Sequence, residues 1–314
     1  MTVPTVQPSS ARRTGRWQLE LLLLGFLYLA YDGSRLLVGS GFDDAVSDAR
    51  SLFDTEQWLH LDPERWLNST FSSHLWLGVP ADFAYATLHY LVTPAVLVWL
   101  WRRHHGQYRR ARTWLAVTTV MALVGFILFP AAPPRLMPAA YGFTDTMAQH
   151  AAIGWWGGSA SAPKGLGSMT NEFAAMPSLH VAWALWCGLM LFRFSGDRTV
   201  RTLGLLYPVA ITLVVLGTGN HYLFDCLAGA LLLGLGALLA RPLLRFTDRL
   251  RARLLFLRYS PRRLSEHPVP DYGPSASPAP SGSTGSTGSS AASSPSGPSS
   301  ASGASVKRHS PVLH

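Results

Sequence analysis

Apolar runs recur along this 314-residue chain at lengths close to a membrane thickness, and no other feature constrains its fold as tightly. A helix needs about 20 residues to cross the hydrocarbon core of a bilayer. Such runs fall at about 17–38, 81–101, 114–129, 177–194, 203–216 and 222–239, the last continuing as a basic amphipathic extension to 258. The expectation is an all-α polytopic membrane protein with six transmembrane helices. Composition agrees: 48% of residues are hydrophobic and 14% charged, against about 25% charged in a soluble domain.

Between the first two runs, 39–80 is not a span. Ala49, Leu52, Phe53, Trp58, Leu59, Leu61, Trp66 and Leu67 make an amphipathic, Trp-rich pattern expected of an interfacial helix. Residues 1–16 are polar, and a disordered N-terminus is expected there. Arg12, Arg13 and Arg16 before an apolar run resemble a signal peptide, but no small-residue cleavage site follows, so a retained first helix is expected. Asp32 and Arg35 within it are three apart, placed to pair on one helical face. Residues 264–314 are rich in Ser, Gly, Pro and Ala and read as a disordered tail. The expected organisation is therefore an N-terminus (1–16), a membrane domain (17–258) and a tail (264–314).

Basic residues set the orientation. With six spans, the N-terminus, the loop after span two, the turn after span four and the tail share one side. These segments hold nearly all the arginines, whereas the opposite side holds only Arg50, Arg65, Arg135 and Lys164. Both termini are thus expected in the cytoplasm of a plasma-membrane protein. The net charge of +9 follows from this topology and gives no reason to invoke nucleic acid. Cys187 and Cys226 lie inside apolar runs and read as packing residues.

The same parity puts several polar residues at the outer face. Arg135 lies at the outer end of span three, Ser178 and His180 open span four, and Asn220, His221 and Asp225 lie at the outer end of spans five and six. His221 and Asp225 are four apart and share a helical face. A carboxylate there fixes one imidazole nitrogen and leaves the other as base or nucleophile; the plainer alternative is a structural pair at a helix end. Pro177 suits a first helical turn. Ser178 and His180 follow where free N–H groups favour a phosphate, or where Ser178 simply caps the helix. Arg135, after Pro130-Ala131-Ala132-Pro133-Pro134, can grip phosphate bidentately or meet lipid headgroups. The 131–176 loop has the length of a functional one. His89 reads as an interior histidine able to line a substrate slot. His60, His74, His104, His105 and His150 carry no pairing signal.

At these residues the chain resembles the type 2 phosphatidic acid phosphatase superfamily. Pro177-Ser178-Leu179-His180 is similar to its second signature, and His221 with Asp225 to the end of its third. The string Ala174 to His180, with Pro130 to Arg135, is similar to the branch containing inositol phosphorylceramide synthases. The resemblance spans roughly 31–240. It implies that His221 attacks phosphorus to form a phosphohistidine, Asp225 orients it, and His180 protonates the leaving oxygen. Ser178 and Arg135 would hold the phosphoryl oxygens, with Lys164, Asn220 and Asn171 as further donors. The substrate would be a lipid phosphate or phosphoinositol lipid at the outer leaflet, with no cofactor or metal. Water as second acceptor gives a phosphatase; inositol or another alcohol gives a transferase. Two departures stand out. Leu128 occupies the position of the first-signature lysine, and Val214-Val215 occupy that of a Ser-Arg pair. Two other classes remain open: His180, His221 and Asp225 as zinc ligands of an intramembrane hydrolase, or a lipid carrier lined by paired charges.

Overall fold

The computed structural model describes residues 42–157, 160–163 and 173–259, together with Gln18, Leu22 and Gly25. The chain divides into two units, Met1–Tyr259 and Ser260–His314. The second unit, the first expected span, Asp32, Arg35, Lys164 and Asn171 lie outside the described residues.

Proline and polar punctuation cut the chain into helices. α1 (Phe42–Trp58) and α2 (Pro63–Ser73) are amphipathic, and Pro63 opens the second where no N–H is needed. α3 (Leu75–Arg103), α4 (His105–Leu128), α6 (Leu179–Phe194), α7 (Arg198–Gly217) and α8 (Leu223–Tyr259) are the apolar helices. A single turn, α5 (Thr146–Gln149), and a short hairpin, β1 (Trp156–Gly157) with β2 (Ala160–Pro163), lie in the loop between α4 and α6.

Four of these, α3, α4, α7 and α8, are long and apolar enough to cross a membrane. α6 has only 16 residues, about 24 Å at 1.5 Å per residue. It buries Ala182, Trp186 and Cys187 almost completely. Small residues and indoles knit these helices together. A Cβ on Gly188 of α6 would meet the Gly204 carbonyl of α7 at 2.3 Å, so the two backbones touch. Indole N–H groups cross between helices, from Trp114 to the Leu233 carbonyl, from Trp183 to Thr119 and from Trp186 to the Ala111 carbonyl. Each satisfies a buried donor that would otherwise be left unpaired.

Several boundaries differ from the sequence reading. The second apolar helix begins at Leu75 rather than 81 and carries Pro80 and Pro94 inside it. Arg109, Arg110 and Arg112 are helical, in α4, rather than in a loop. The stretch 39–80 is not one helix. It breaks between Trp58 and Pro63, where His60 takes a left-handed φ of 58°. Its apolar residues fall into two sets. Ala49, Leu52, Phe53 and Leu67 are buried in the protein, whereas Trp58, Leu59, Leu61 and Trp66 are exposed.

The ends of four apolar helices meet on one side. Ser178 N–H, opening α6, donates to the Asp225 carbonyl in the first turn of α8. Arg135 N–H, past α4, donates to the Gly219 carbonyl past α7. A Cβ on Gly229 would lie 2.3 Å from the Ser178 carbonyl. Only glycine lets α8 come this close to the start of α6.

Candidate functional site

His221 and Asp225 sit where α7 gives way to α8. The turn between the helices needs Gly219, whose φ of +68° favours glycine. Asn68 of α2 braces it: the side-chain amide donates to the Gly217 carbonyl at 3.1 Å and to the Thr144 carbonyl at 3.0 Å.

His221 is 3% exposed. Its Nδ1 lies 2.8 Å from the Ala175 carbonyl and 3.3 Å from Asp225 Oδ2. Both neighbours are acceptors, so Nδ1 carries the proton and Nε2 carries the lone pair. That Nε2 is buried and has no hydrogen-bond partner among the described residues. The tautomer is therefore set for nucleophilic use. Asp225 Oδ2 also accepts the Tyr222 N–H at 2.8 Å, which pins the carboxylate within its own helical turn.

The His180 ring centroid lies 5.7 Å from that of His221. α3 holds it from the other side: Tyr85 stacks on it at 4.4 Å, and His89 meets it edge-on at 4.4 Å. His89 Nδ1 is 3.0 Å from the Tyr85 carbonyl. His180 Nε2 is buried without a partner. Ser178 is fully buried, and its Oγ accepts the Val181 N–H at 3.4 Å, the helix-capping alternative weighed from the sequence.

Arg135 is 7% exposed and held on two sides. Its Nε donates to Asn220 Oδ1 at 2.9 Å, and an Nη donates to Asp145 at 3.1 Å. Asn220 in turn donates to Thr218 Oγ1 at 2.9 Å. Asn220 thus builds the arginine's seat. Asp145 is itself tied down, accepting the Ala148 N–H as the cap of α5. Behind it, Asp82 of α3 accepts from Thr146 at 2.7 Å and pairs with His150 at 2.6 Å, all three residues being buried. His150 therefore has a partner that no local spacing announced, 68 residues away.

The Pro130 to Arg135 string joins the same frame. Ala131 N–H donates to the Phe173 carbonyl, and Ala132 N–H to the Ala45 carbonyl of α1. The structure thus brings together His180, His221, Asp225, Arg135, Ser178 and Asn220. Sequence reasoning missed the Ala175 carbonyl, Asp145 and Tyr85. Asp145 had a signal, since it and Arg135 are the only charged residues in 130–163. A backbone carbonyl leaves no signal.

A family model described as the PAP2 superfamily matches residues 50–239, more than half of the chain. This chain belongs to the PAP2 superfamily. No curated protein matches it, and no solved structure does. PAP2 proteins are generally phosphatases and phosphotransferases, so membership supports a phosphatase-type phosphoryl transfer on lipids. Among the described residues, the site holds few basic groups. Leu128 is exposed at the end of α4, and Val215 is buried in the core, so neither position offers a cation. Arg135 supplies the guanidinium of the described site. Among the described residues, no group of three His, Cys, Asp or Glu side chains is arranged to hold a metal ion.

Proposed function

We propose that this PAP2 chain transfers a phosphoryl-linked headgroup from a lipid phosphodiester, of the phosphoinositol type, to an alcohol acceptor at the outer leaflet of the plasma membrane. His221 Nε2 attacks phosphorus, and the P–O bond to the leaving group breaks. His180 delivers the proton that the leaving oxygen needs. The acceptor hydroxyl then attacks the phosphohistidine, loses its proton to His180, and returns His221 to its starting state. Asp225 and the Ala175 carbonyl hold the imidazole and offset its positive charge. Arg135 and Ser178 receive the phosphoryl oxygens. Lys164, outside the described residues, is a further donor in this reading.

The observation that carries the nucleophile is the buried, lone-pair-bearing Nε2 of His221 beside His180. The preference for a diester rests on charge. A phosphomonoester brings up to two negative charges and a diester one. Arg135 already faces Asp145 at 3.1 Å, so the pair adds little net positive charge for a dianion. The likeness of Ala174 to His180 to the inositol phosphorylceramide synthase branch points the same way.

The test uses purified protein in detergent with radiolabelled phosphatidic acid and phosphatidylinositol. Acid-labile label on the protein that is insensitive to chelator and lost in His221→Gln supports the phosphohistidine. Turnover is expected to fall more than about 1,000-fold in that variant. Release of free phosphate from the monoester, with the diester inert, would make the chain a plain lipid-phosphate phosphatase. Activity abolished by chelator with no label would overturn the histidine nucleophile in favour of zinc chemistry. Lipid binding without any turnover would favour a carrier.

A further inference from the structure

Near Asp225 the structure places two more carboxyl groups. Glu56 of α1 and Glu64 of α2 are both 0% exposed. Glu56 Oε1 accepts the Phe224 N–H at 2.5 Å, in the first turn of α8 and one residue before Asp225. A side chain 168 positions away in sequence thus caps the helix that carries the aspartate. Among the described residues, Glu56 Oε2 and both oxygens of Glu64 are buried with no donor to bond, and so is Asp225 Oδ1. Among the described residues no ion pair reaches either glutamate.

Three buried carboxylates packed together without a cation would repel strongly. As carboxylates they are acceptors only, so none can satisfy another. One shared proton eases both problems. It removes a charge and turns one oxygen into a donor.

We propose that Glu56 and Glu64 share one proton, so that the pair carries a single negative charge and positions the first turn of α8, leaving Asp225 ionised to serve His221. The purpose assigned to the pair rests on the proposed role of Asp225. Glu56 Oε1 keeps its bond to Phe224 while its other oxygen meets Glu64. Burial supports the assignment. It pushes the Glu56 carboxyl from its ordinary 4.5 up to about 10, with Glu64 and Asp225 adding to the rise, and it raises Glu64 as well. The groups facing the pair are Phe224 N–H, Asp225 and the Cys226 thiol from α8, Tyr222 ahead of it, and Asp62 at the start of α2. Burial and these carboxyls also drive the Tyr222 phenol upward, so it stays protonated beside them.

The experiment is infrared spectroscopy of the purified full-length protein across pH, paired with kinetics. A protonated-carboxyl stretch is expected at neutral pH that disappears with a midpoint near 10. It is expected to be lost in Glu56→Gln and in Glu64→Gln, and to persist in Asp225→Asn. Absence of the band at neutral pH, or its loss only in Asp225→Asn, would overturn the proposal.

In kinetics, Glu56→Leu removes the cap on Phe224 and is expected to lower kcat on the order of 100-fold, the scale of a misplaced catalytic group, with little change in KM. Glu56→Gln keeps a neutral acceptor. It is expected to retain most of kcat and to lose any alkaline fall near pH 10. A folded Glu56→Leu protein with wild-type kcat would overturn the positioning role. Should Glu56→Leu not fold, the infrared result on the two Gln variants still decides where the proton is. Full turnover in His221→Gln and Asp225→Asn would instead bring down the reading of the site, whatever the infrared band shows.

Discussion

At the scale of single residues, the proposed roles rest on protonation geometry. His221 has two acceptors on one nitrogen and nothing on the other, the arrangement a nucleophilic imidazole needs. His180 lacks a carboxylate partner and is held by aromatic stacking instead, which suits a group that gains and loses a proton in turn. His180→Gln is expected to lose about 100- to 10,000-fold in kcat with an alkyl leaving group, the range for general acid catalysis. Much of that loss is expected to return with a nitrophenyl leaving group, which departs without a proton. Equal losses on both substrates would argue against His180 as the acid.

Asp145 offers a second test at the same scale. Asp145→Asn keeps the α5 cap, because asparagine caps as well as aspartate, but removes one negative charge beside Arg135. The ratio of kcat/KM for phosphatidic acid over phosphatidylinositol is expected to rise about tenfold or more, as one uncompensated charge contact at a partly buried site implies. An unchanged ratio would remove the charge argument for a diester.

At the scale of elements, the site depends on how closely α6 and α8 approach. A side chain at Gly229 would strike the Ser178 carbonyl, a backbone atom that cannot swing away. Gly229→Val is expected to cost about 1–3 kcal/mol or more, as overpacking does, and to separate Ser178 N–H from the Asp225 carbonyl. A lower unfolding temperature in detergent, together with lost turnover, is the expected result. The Asp82–Thr146–His150 cluster plays a comparable part for the loop. It fixes α5 from below, and α5 carries the aspartate that holds Arg135.

At the scale of the whole molecule, the buried Glu56–Glu64 pair makes stability depend on pH. The folded protein holds its proton up to about 10, while an unfolded chain gives it up near the ordinary 4.5. Below that lower value both states are protonated and the contribution is fully present. Across the interval the folded state binds more protons than the unfolded one, so stability falls as pH rises, and it levels out above the folded value. Thermal unfolding in detergent is expected to show this decline, and Glu56→Gln is expected to flatten it. A profile that rises with pH over this window would argue against a buried proton.

How much of this was legible beforehand can be traced residue by residue. Apolar runs marked α3, α4, α6, α7 and α8, because a membrane demands long uncharged helices wherever the chain crosses it. Pro177, Ser178, His180, His221 and Asp225 announced themselves through spacing within single turns, and the PAP2 match at 50–239 agrees with that reading of family. Local spacing was silent on contacts made across the fold. Asp82 meets His150, Glu56 meets Phe224, and the Ala175 carbonyl meets His221 over separations of 68, 168 and 46 residues. The amphipathic pattern of α1 and α2 showed that one face is apolar. It did not show that two glutamates turn inward with Phe53 while Trp58 and Trp66 turn out. Read alone, the amino-acid order shows where the apolar segments of α3, α4, α6, α7 and α8 lie and which chemical groups are present, but not where each helix begins and ends. Only the tertiary structure decided the partner of each buried polar group, because that choice depends on which helix ends are brought together.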